Sequence, residues 1–294
     1  MNSATIIAPI APIAAASRQF DWLDWSRRNP TIVIGSAILA VFVLVALLAP
    51  WIAGDQLGFE PLNRLKSPSA EFWFGSDQFG RDVYSRVVYG TRVSLIVGVS
   101  VAAIATVIGL VIGVICGYYP GIDNVVMRVM DGLMAIPGIL LAIALITLMQ
   151  ASLLVVIVAI TIPEIPRVVR LVRSVVLTVR DLPYIEAAVA TGTRARIIMI
   201  RHILPNTLAP LIVQATYVCA SAILIEAGLS FLGAGTPPEI PSWGNIISQG
   251  RTYFQISPWI IFFPGLMLAI AVLAINLVGD GLRDTLDPRI ARRM

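Results

Sequence analysis

Long apolar blocks alternate with shorter polar stretches along this chain. The apolar blocks fall at residues 31–52, 93–118, 125–149, 151–172, 207–230 and 258–279. Each is long enough to cross the roughly 30 Å of bilayer hydrocarbon as a helix, which takes about 20 residues. A helix satisfies its own backbone hydrogen bonds in lipid, so the pattern predicts an all-α, polytopic membrane protein with six transmembrane helices. The fourth block reads less cleanly. Its apolar run stops at Pro163, and it crosses only by continuing through Glu164, Pro166 and Arg167, with Arg167, Arg170 and Arg173 snorkelling to the headgroups. Gly109 and Gly113 form a small-xxx-small pair suited to close helix packing. Pro137-Gly138 predicts a kink, and Trp51 ends the first block as an interfacial anchor.

Two polar stretches carry a pattern of their own. In residues 74–92, Val83 and Val87, and Tyr84 and Val88, fall at i, i+4. That spacing fits an amphipathic helix on the membrane surface, and equally a solvated loop helix. Residues 181–206 read as two short helices hinged at Gly192, with Asp181 capping the first and Pro183 in its first turn. Thr193 then caps the second, and Pro205 helps end it. Leu182, Ile185 and Val189 share one face of the first helix; Glu186, Ala187 and Ala190 share another. In the second, Ile197, Ile200 and Leu204 fall opposite Arg194 and Arg201. A knob of small side chains on a hinged hairpin suits docking into a groove on another protein.

Composition narrows the class. Of 294 residues, 57% are hydrophobic and 13% charged, where a soluble domain carries about a quarter charged residues. The net charge of +4 does not imply nucleic acid, because the basic residues cluster by side. Taking the N-terminus as inside, 15 of the 21 fall in inner segments, among them the seven arginines from Arg167 to Arg201. Arg64, Lys66, Arg81, Arg86, Arg92 and Arg251 fall outside, and five acids offset most of these in the first outer loop. The hinged hairpin is therefore expected in the cytoplasm. The plan is an N-terminal cytoplasmic tail (1–30), a first transmembrane helix (31–53), and an extracytoplasmic loop with an interfacial helix (54–92). A five-helix core (93–280) containing the hairpin 181–206 and a cytoplasmic tail (281–294) complete it.

Candidate chemistry adds little. Cys116 and Cys219 sit in apolar blocks without metal-ligand spacing, and His202 is the single histidine. There is no phosphate loop ending in Gly-Lys-Ser/Thr, no HExxH and no GxSxG, so neither catalysis nor a cofactor is expected. Ionisable groups inside spans are functional candidates because burying them unpaired is costly. Asp131 has Arg128 three residues before it, and Glu164 has Arg167 one turn on, so each reads as a local ion pair or a pathway contact. Glu226 has no sequence-local base and reads as lining a pathway or a partner interface. Pro137 reads as packing geometry or a gate.

Glu186-Ala187-Ala188, three residues, Gly192, then Leu204-Pro205 resembles the EAA loop of inner-membrane subunits of bacterial ABC importers. His202 departs from that pattern, which has an aliphatic residue two before the Leu-Pro. From Phe74 to Arg289 the chain further resembles the dipeptide/oligopeptide permease group. The matching pieces are Phe74-Gly-Ser-Asp, Gly80-Arg81-Asp82, Met127-Arg-Val-Met-Asp131, Ile136-Pro137-Gly138 and Glu226-Ala-Gly-Leu-Ser-Phe-Leu-Gly233. Pro241-Ser-Trp-Gly244, Asn276-Leu-Val-Gly-Asp280 and Leu286-Asp-Pro-Arg289 extend them. The resemblance implies a type I ABC importer permease in the bacterial inner membrane, moving dipeptides, oligopeptides, glutathione or nickel chelates. It implies a second similar permease, one or two ABC ATPase subunits and an extracytoplasmic binding protein as partners. It also implies that Glu186, Ala187, Ala188, Gly192, Leu204 and Pro205 couple the chain to an ATPase. The rival expectation is a proton- or ion-coupled carrier that relays charge through Asp131, Glu164 and Glu226.

Overall fold

The computed structural model describes residues 26–286. The expected N-terminal tail, up to residue 25, and the end of the C-terminal tail, including Asp287 to Arg289, lie outside the described residues. The elements are α1 (Pro30–Ile52), α2 (Val83–Tyr118), α3 (Pro120–Ala135), α4 (Gly138–Met149) and α5 (Leu153–Arg180). They continue with α6 (Pro183–Ala190), α7 (Ala195–Phe231), α8 (Trp243–Gly250) and α9 (Trp259–Leu286). Among the described residues there is no strand, only an isolated bridge between Ser76 and Asp82. The expected all-α membrane architecture is what is found.

Four helices, α1, α2, α7 and α9, are long and apolar enough to cross a membrane. Helices α3 and α4 qualify together as a fifth, but they meet at an 87° bend. Pro137 sits at that corner in an extended conformation, so the predicted kink is a full break. Helix α5 is long enough at 28 residues but not apolar throughout, since its second half carries Arg167, Arg170, Arg173 and Arg180.

The predicted surface helix over 74–92 is corrected. Residues 74–82 are turns, and residues 83–92 are the first turns of α2 itself, which runs 36 residues without a break. The cause is local: Asp82 accepts hydrogen bonds from the Tyr84 and Ser85 amides and starts the helix there. A helix of that length spans about 54 Å, longer than the roughly 30 Å of bilayer hydrocarbon. The tail expected from residue 281 likewise begins later, because α9 continues to Leu286.

Helix α2 packs along α5 through a stripe of glycines. A methyl group added at Gly109 would stand 2.5 Å from Val168 Cβ, one at Gly113 2.7 Å from Val172 Cβ, and one at Gly117 2.6 Å from Val176 Cβ. Both sets advance by four residues in the same sense, so the two helices are parallel. Helices α1 and α9 run oppositely, with Gly35 against Ala274 and Val278 while Gly281 meets Ile32. Parallel α2 and α5, with antiparallel α1 and α9, is the arrangement that successive crossings produce. One apolar core fills the α2–α5–α7 contact around Val101, Val156, Val172 and Val218; a second surrounds Trp243 where α1, α2, α8 and α9 converge.

Candidate functional site

The hairpin between α5 and α7 is built largely from backbone constraints. Asp181 closes α5 rather than capping α6; the residue before α6 is Leu182, with no side-chain cap, and Pro183 fixes the first turn as expected. Pro183 has φ set for a helix and needs no amide partner at that position, so a side-chain cap is dispensable. Gly192 follows at φ +77°, the left-handed conformation that ends a helix and reverses the chain. Nothing lies within 4 Å of where its Cβ would be, so backbone conformation alone selects glycine there. Arg194, not Thr193, precedes the next helix, again without a side-chain cap.

That second helix does not stop at Pro205. It passes through a π-helical segment, Met199–Ile203, into the long apolar helix and forms one element, α7. The wider turn shifts the hydrogen-bond register just before Pro205, which supplies no amide hydrogen and would otherwise break the ladder.

Three isoleucines anchor the hairpin: Ile185, Ile198 and Ile203 are all buried. Leu182 and Val189, expected to share the face of Ile185, are exposed, as are Glu186 and Ala187, with Ala188 half-buried. Ile197 and Ile200 are exposed too, and they line one open cavity of about 460 Å³ together with Arg194, Arg196 and Arg201. The expected opposition of apolar and basic faces is therefore replaced by a mixed surface. Asn206 donates to the His202 carbonyl at 2.6 Å and to the Tyr184 hydroxyl at 3.4 Å, fastening α6 to α7. Leu204 is half-buried and Pro205 exposed beside them. The motif residues thus make a largely exposed knob at the end of the long helices.

Of the charged candidates inside the helices, Asp131 finds a partner that spacing did not indicate and Glu164 keeps the one that it did. Asp131 pairs with Arg170 of α5 at 2.5 Å, not with Arg128. Arg173 grips Asp123 with two bonds, Nε to Oδ1 at 2.5 Å and a terminal nitrogen to Oδ2 at 2.6 Å. Helix α3 packs against α5 closely enough for its acids to take both arginines. Glu164 does pair with Arg167, at 3.3 Å, while itself buried. Arg180 donates to the Gly117 carbonyl of α2 at 3.2 Å.

Glu226 lies at no surface: it is fully buried, and Oε1 accepts from Ser230 and Ser242, both at 2.7 Å. Ser242 also caps α8, so Glu226 ties the loop before α8 to α7. This corrects its reading as a pathway or interface residue. Asp131, Glu164 and Glu226 each contact a different partner: Arg170, Arg167, and the Ser230 and Ser242 hydroxyls. The expected effect of Glu226→Ala is a loss of about 1–3 kcal/mol, since two serine hydroxyls lose a buried acceptor; thermal unfolding in detergent checks it. A second buried cluster was missed by sequence reasoning. Asp77 is fully buried and accepts from Arg81 and Arg86, both at 2.6 Å, and both arginines donate to Gln249 of α8. Its only signal was the compact Ser-Asp…Gly-Arg-Asp spacing.

Comparison with known proteins matches residues 109–292 to a sequence model described as the inner membrane component of binding-protein-dependent transport systems. Residues 26–68 match the N-terminal transmembrane domain of oligopeptide transport permease C. A probable peptide ABC transporter permease of Sinorhizobium fredii is 56% identical over 268 residues, 91% of this chain and 92% of that one. A dipeptide transport system permease of Alkalihalophilus pseudofirmus is 44% identical over 266 residues, covering 90% and 88%. In fold, the chain is similar to a chain of the MetNI methionine ABC transporter in an inward-facing conformation. That match has a TM-score of 0.57 at 22% identity and covers 69% of this chain and 96% of that one.

Proposed function

This chain belongs to the family of inner membrane components of binding-protein-dependent transport systems, and from that membership we propose how its parts divide the work of import. It is the permease subunit of such an importer, a multi-pass inner-membrane protein. Its cargo is a short peptide, a reading supported by relatives at 56% and 44% identity that are named as peptide and dipeptide permeases. An ATPase subunit supplies the energy and docks on the hairpin from the cytoplasm. An extracytoplasmic binding protein delivers cargo to the opposite end, and a second, similar permease completes the pathway.

The observation that carries the docking reading is the knob of exposed Glu186 and Ala187 and half-buried Ala188, anchored by the buried Ile185 and Ile198. Small side chains let a partner's backbone approach, and Glu186 offers one charge. Ile197 and Ile200 supply apolar area, and the neighbouring arginines offer a matching set of donors. Import requires that the ATPase contact this knob differently in its two nucleotide states, because only differential contact moves an equilibrium.

The test is uptake measured beside ATP hydrolysis in the assembled complex. Gly192→Pro removes the left-handed turn, and Glu186→Lys reverses the charge on the knob. Each is expected to lower uptake at least about fivefold, the low end of coupling energies between sites, while hydrolysis continues. Normal uptake in both variants rejects the reading. So does labelling of cysteines at positions 186 and 192 from the extracytoplasmic side.

A further inference from the structure

We propose, on the basis of the import reading above, that the seam where α3 meets α5 is this subunit's wall of the pathway, and that Arg128 takes the terminal carboxylate of the peptide there. Between Glu164 and Arg180 of α5 the exposed residues are Arg167, Arg170, Ser174 and Thr178. All of them are polar. Their helical spacing puts them on one face, a stripe about 16 Å long at 1.5 Å per residue. The Ser174 and Thr178 hydroxyls donate to the Leu171 and Ser174 carbonyls, which leaves both oxygens with lone pairs to accept from water. The exposed surface of α3 is divided lengthwise. Asn124, Arg128 and Asp131 share one side, and Ile122, Val125 and Val129 share another. The polar side of α3 meets the polar stripe of α5 at the Arg170–Asp131 pair, 2.5 Å apart, whose members are 45% and 59% exposed.

Hydrocarbon is a poor neighbour for such a face. Ionisable side chains within membrane spans turn to the bundle interior or to water, and α3 keeps a separate apolar side for lipid or for a partner helix. Charge then selects the guest. Arg167, Arg170 and Arg173 are each paired with an acid, respectively Glu164, Asp131 and Asp123. Arg128 makes no ion pair among the described residues, so the seam has one uncompensated cation, and it is exposed. Side chains differ from one short peptide to the next, but every unmodified one ends in a carboxylate. A guanidinium grips that group with two parallel N–H donors. A single such contact, beside pairs that are already satisfied, holds the common end of the peptide and leaves its side chains unread. The stripe runs into the hairpin end of α5, so this is the half of the pathway from which cargo leaves for the cytoplasm.

The experiment is cysteine labelling of the complete transporter in inverted membrane vesicles, with Cys116 and Cys219 replaced by alanine and a membrane-impermeant maleimide as reagent. Ser174→Cys is expected to label, and Val125→Cys, on the apolar side of α3, is not. The dipeptide alanyl-alanine, at about four times the concentration that gives half protection, should slow labelling at 174 about fivefold, as occupancy of one site requires. Alanyl-alanine amide, which lacks the carboxylate, should not slow it. In Arg128→Gln the protecting concentration should rise at least about tenfold, the low end for a hydrogen bond to a charged group. Arg128 is exposed and unpaired among the described residues, so that variant folds. No labelling at 174, as when a partner helix covers the seam, overturns the proposal. So does labelling at 125 as fast as at 174, no protection by the dipeptide, equal protection by the amide, or protection unchanged in Arg128→Gln. Labelling needs no ATP, so these outcomes stand apart from the import reading, which ATP-driven uptake of alanyl-alanine decides.

Discussion

Gly113→Leu is expected to leave no folded permease to purify. Gly113 is the middle step of the stripe along which α2 meets α5. Even a methyl there would stand 2.7 Å from Val172 Cβ and 2.9 Å from the Val169 carbonyl oxygen. One of those neighbours is backbone, so it cannot rotate aside. The valine is β-branched and held in one rotamer within its helix. Leucine must therefore push the helices apart along their whole contact, losing the matching approach at Gly109 and Gly117 as well. In a membrane this matters more than in a soluble core, because lipid offers no hydrophobic penalty for separation and close packing supplies most of the cohesion. Gly113→Ala is expected to cost about 1–3 kcal/mol, as overpacking does, and to survive with a lower unfolding temperature. Gly265→Leu is the control: nothing lies within 4 Å of its Cβ position, and it should accumulate normally. Yield and thermal unfolding in detergent separate the three, and normal folding of Gly113→Leu sinks the packing account.

The same stripe shows how far the sequence could be read. Two of its glycines were legible because glycine at i, i+4 in an apolar block has one common purpose. The answering valines, 168, 172 and 176, were not, since valine is ordinary in any span. Gly192 was legible for a different reason: a glycine after a short polar helix announces the left-handed turn that it adopts. The caps failed because a proline two residues after Asp181 settles the helix start without help from a carboxylate. The π-helical turn before Pro205 was invisible, since proline signals only that a regular ladder cannot pass, not that a wider one will. Local spacing also misdirected the ion pairs. Asp131 sits three residues from Arg128 and 39 from Arg170, and only the packing of α3 on α5 makes the distant arginine the near one. The buried Asp77 cluster belongs to the same class, because its closing partner, Gln249, lies 163 residues from Arg86.

Those interhelical pairs lead to the second large effect. Arg173→Asp alone, and Asp123→Arg alone, are each expected to lower uptake about a hundredfold. The exchanged double variant should return to within about threefold of wild type. The pair is two-pronged and mostly shielded, with Asp123 only 13% exposed and Arg173 31%. Reversing one member leaves two like charges face to face. Removing a partner from a buried pair costs roughly 3–5 kcal/mol, and partial exposure trims that toward the lower end. The consequence reaches the hairpin because α5 runs directly into it, with the Leu182 amide bonded to the Val179 carbonyl at 3.1 Å. On the proposed docking, a displacement of the knob would pass to α5, and the pairs Arg173–Asp123 and Arg170–Asp131 would pass it on to α3, one arm of the 87° break. Arg180, bonded to Gly117, would engage α2 in the same movement. Without the pairs the knob is expected to move while the broken span stays behind. Arg173→Lys is informative here: it keeps the charge but loses the fork, and an intermediate loss is expected. Uptake and ATP hydrolysis are measured together in reconstituted vesicles. The single variants should hydrolyse ATP without transport, which a merely unfolded protein would not do, and transport by either single variant at the wild-type rate disproves the linkage.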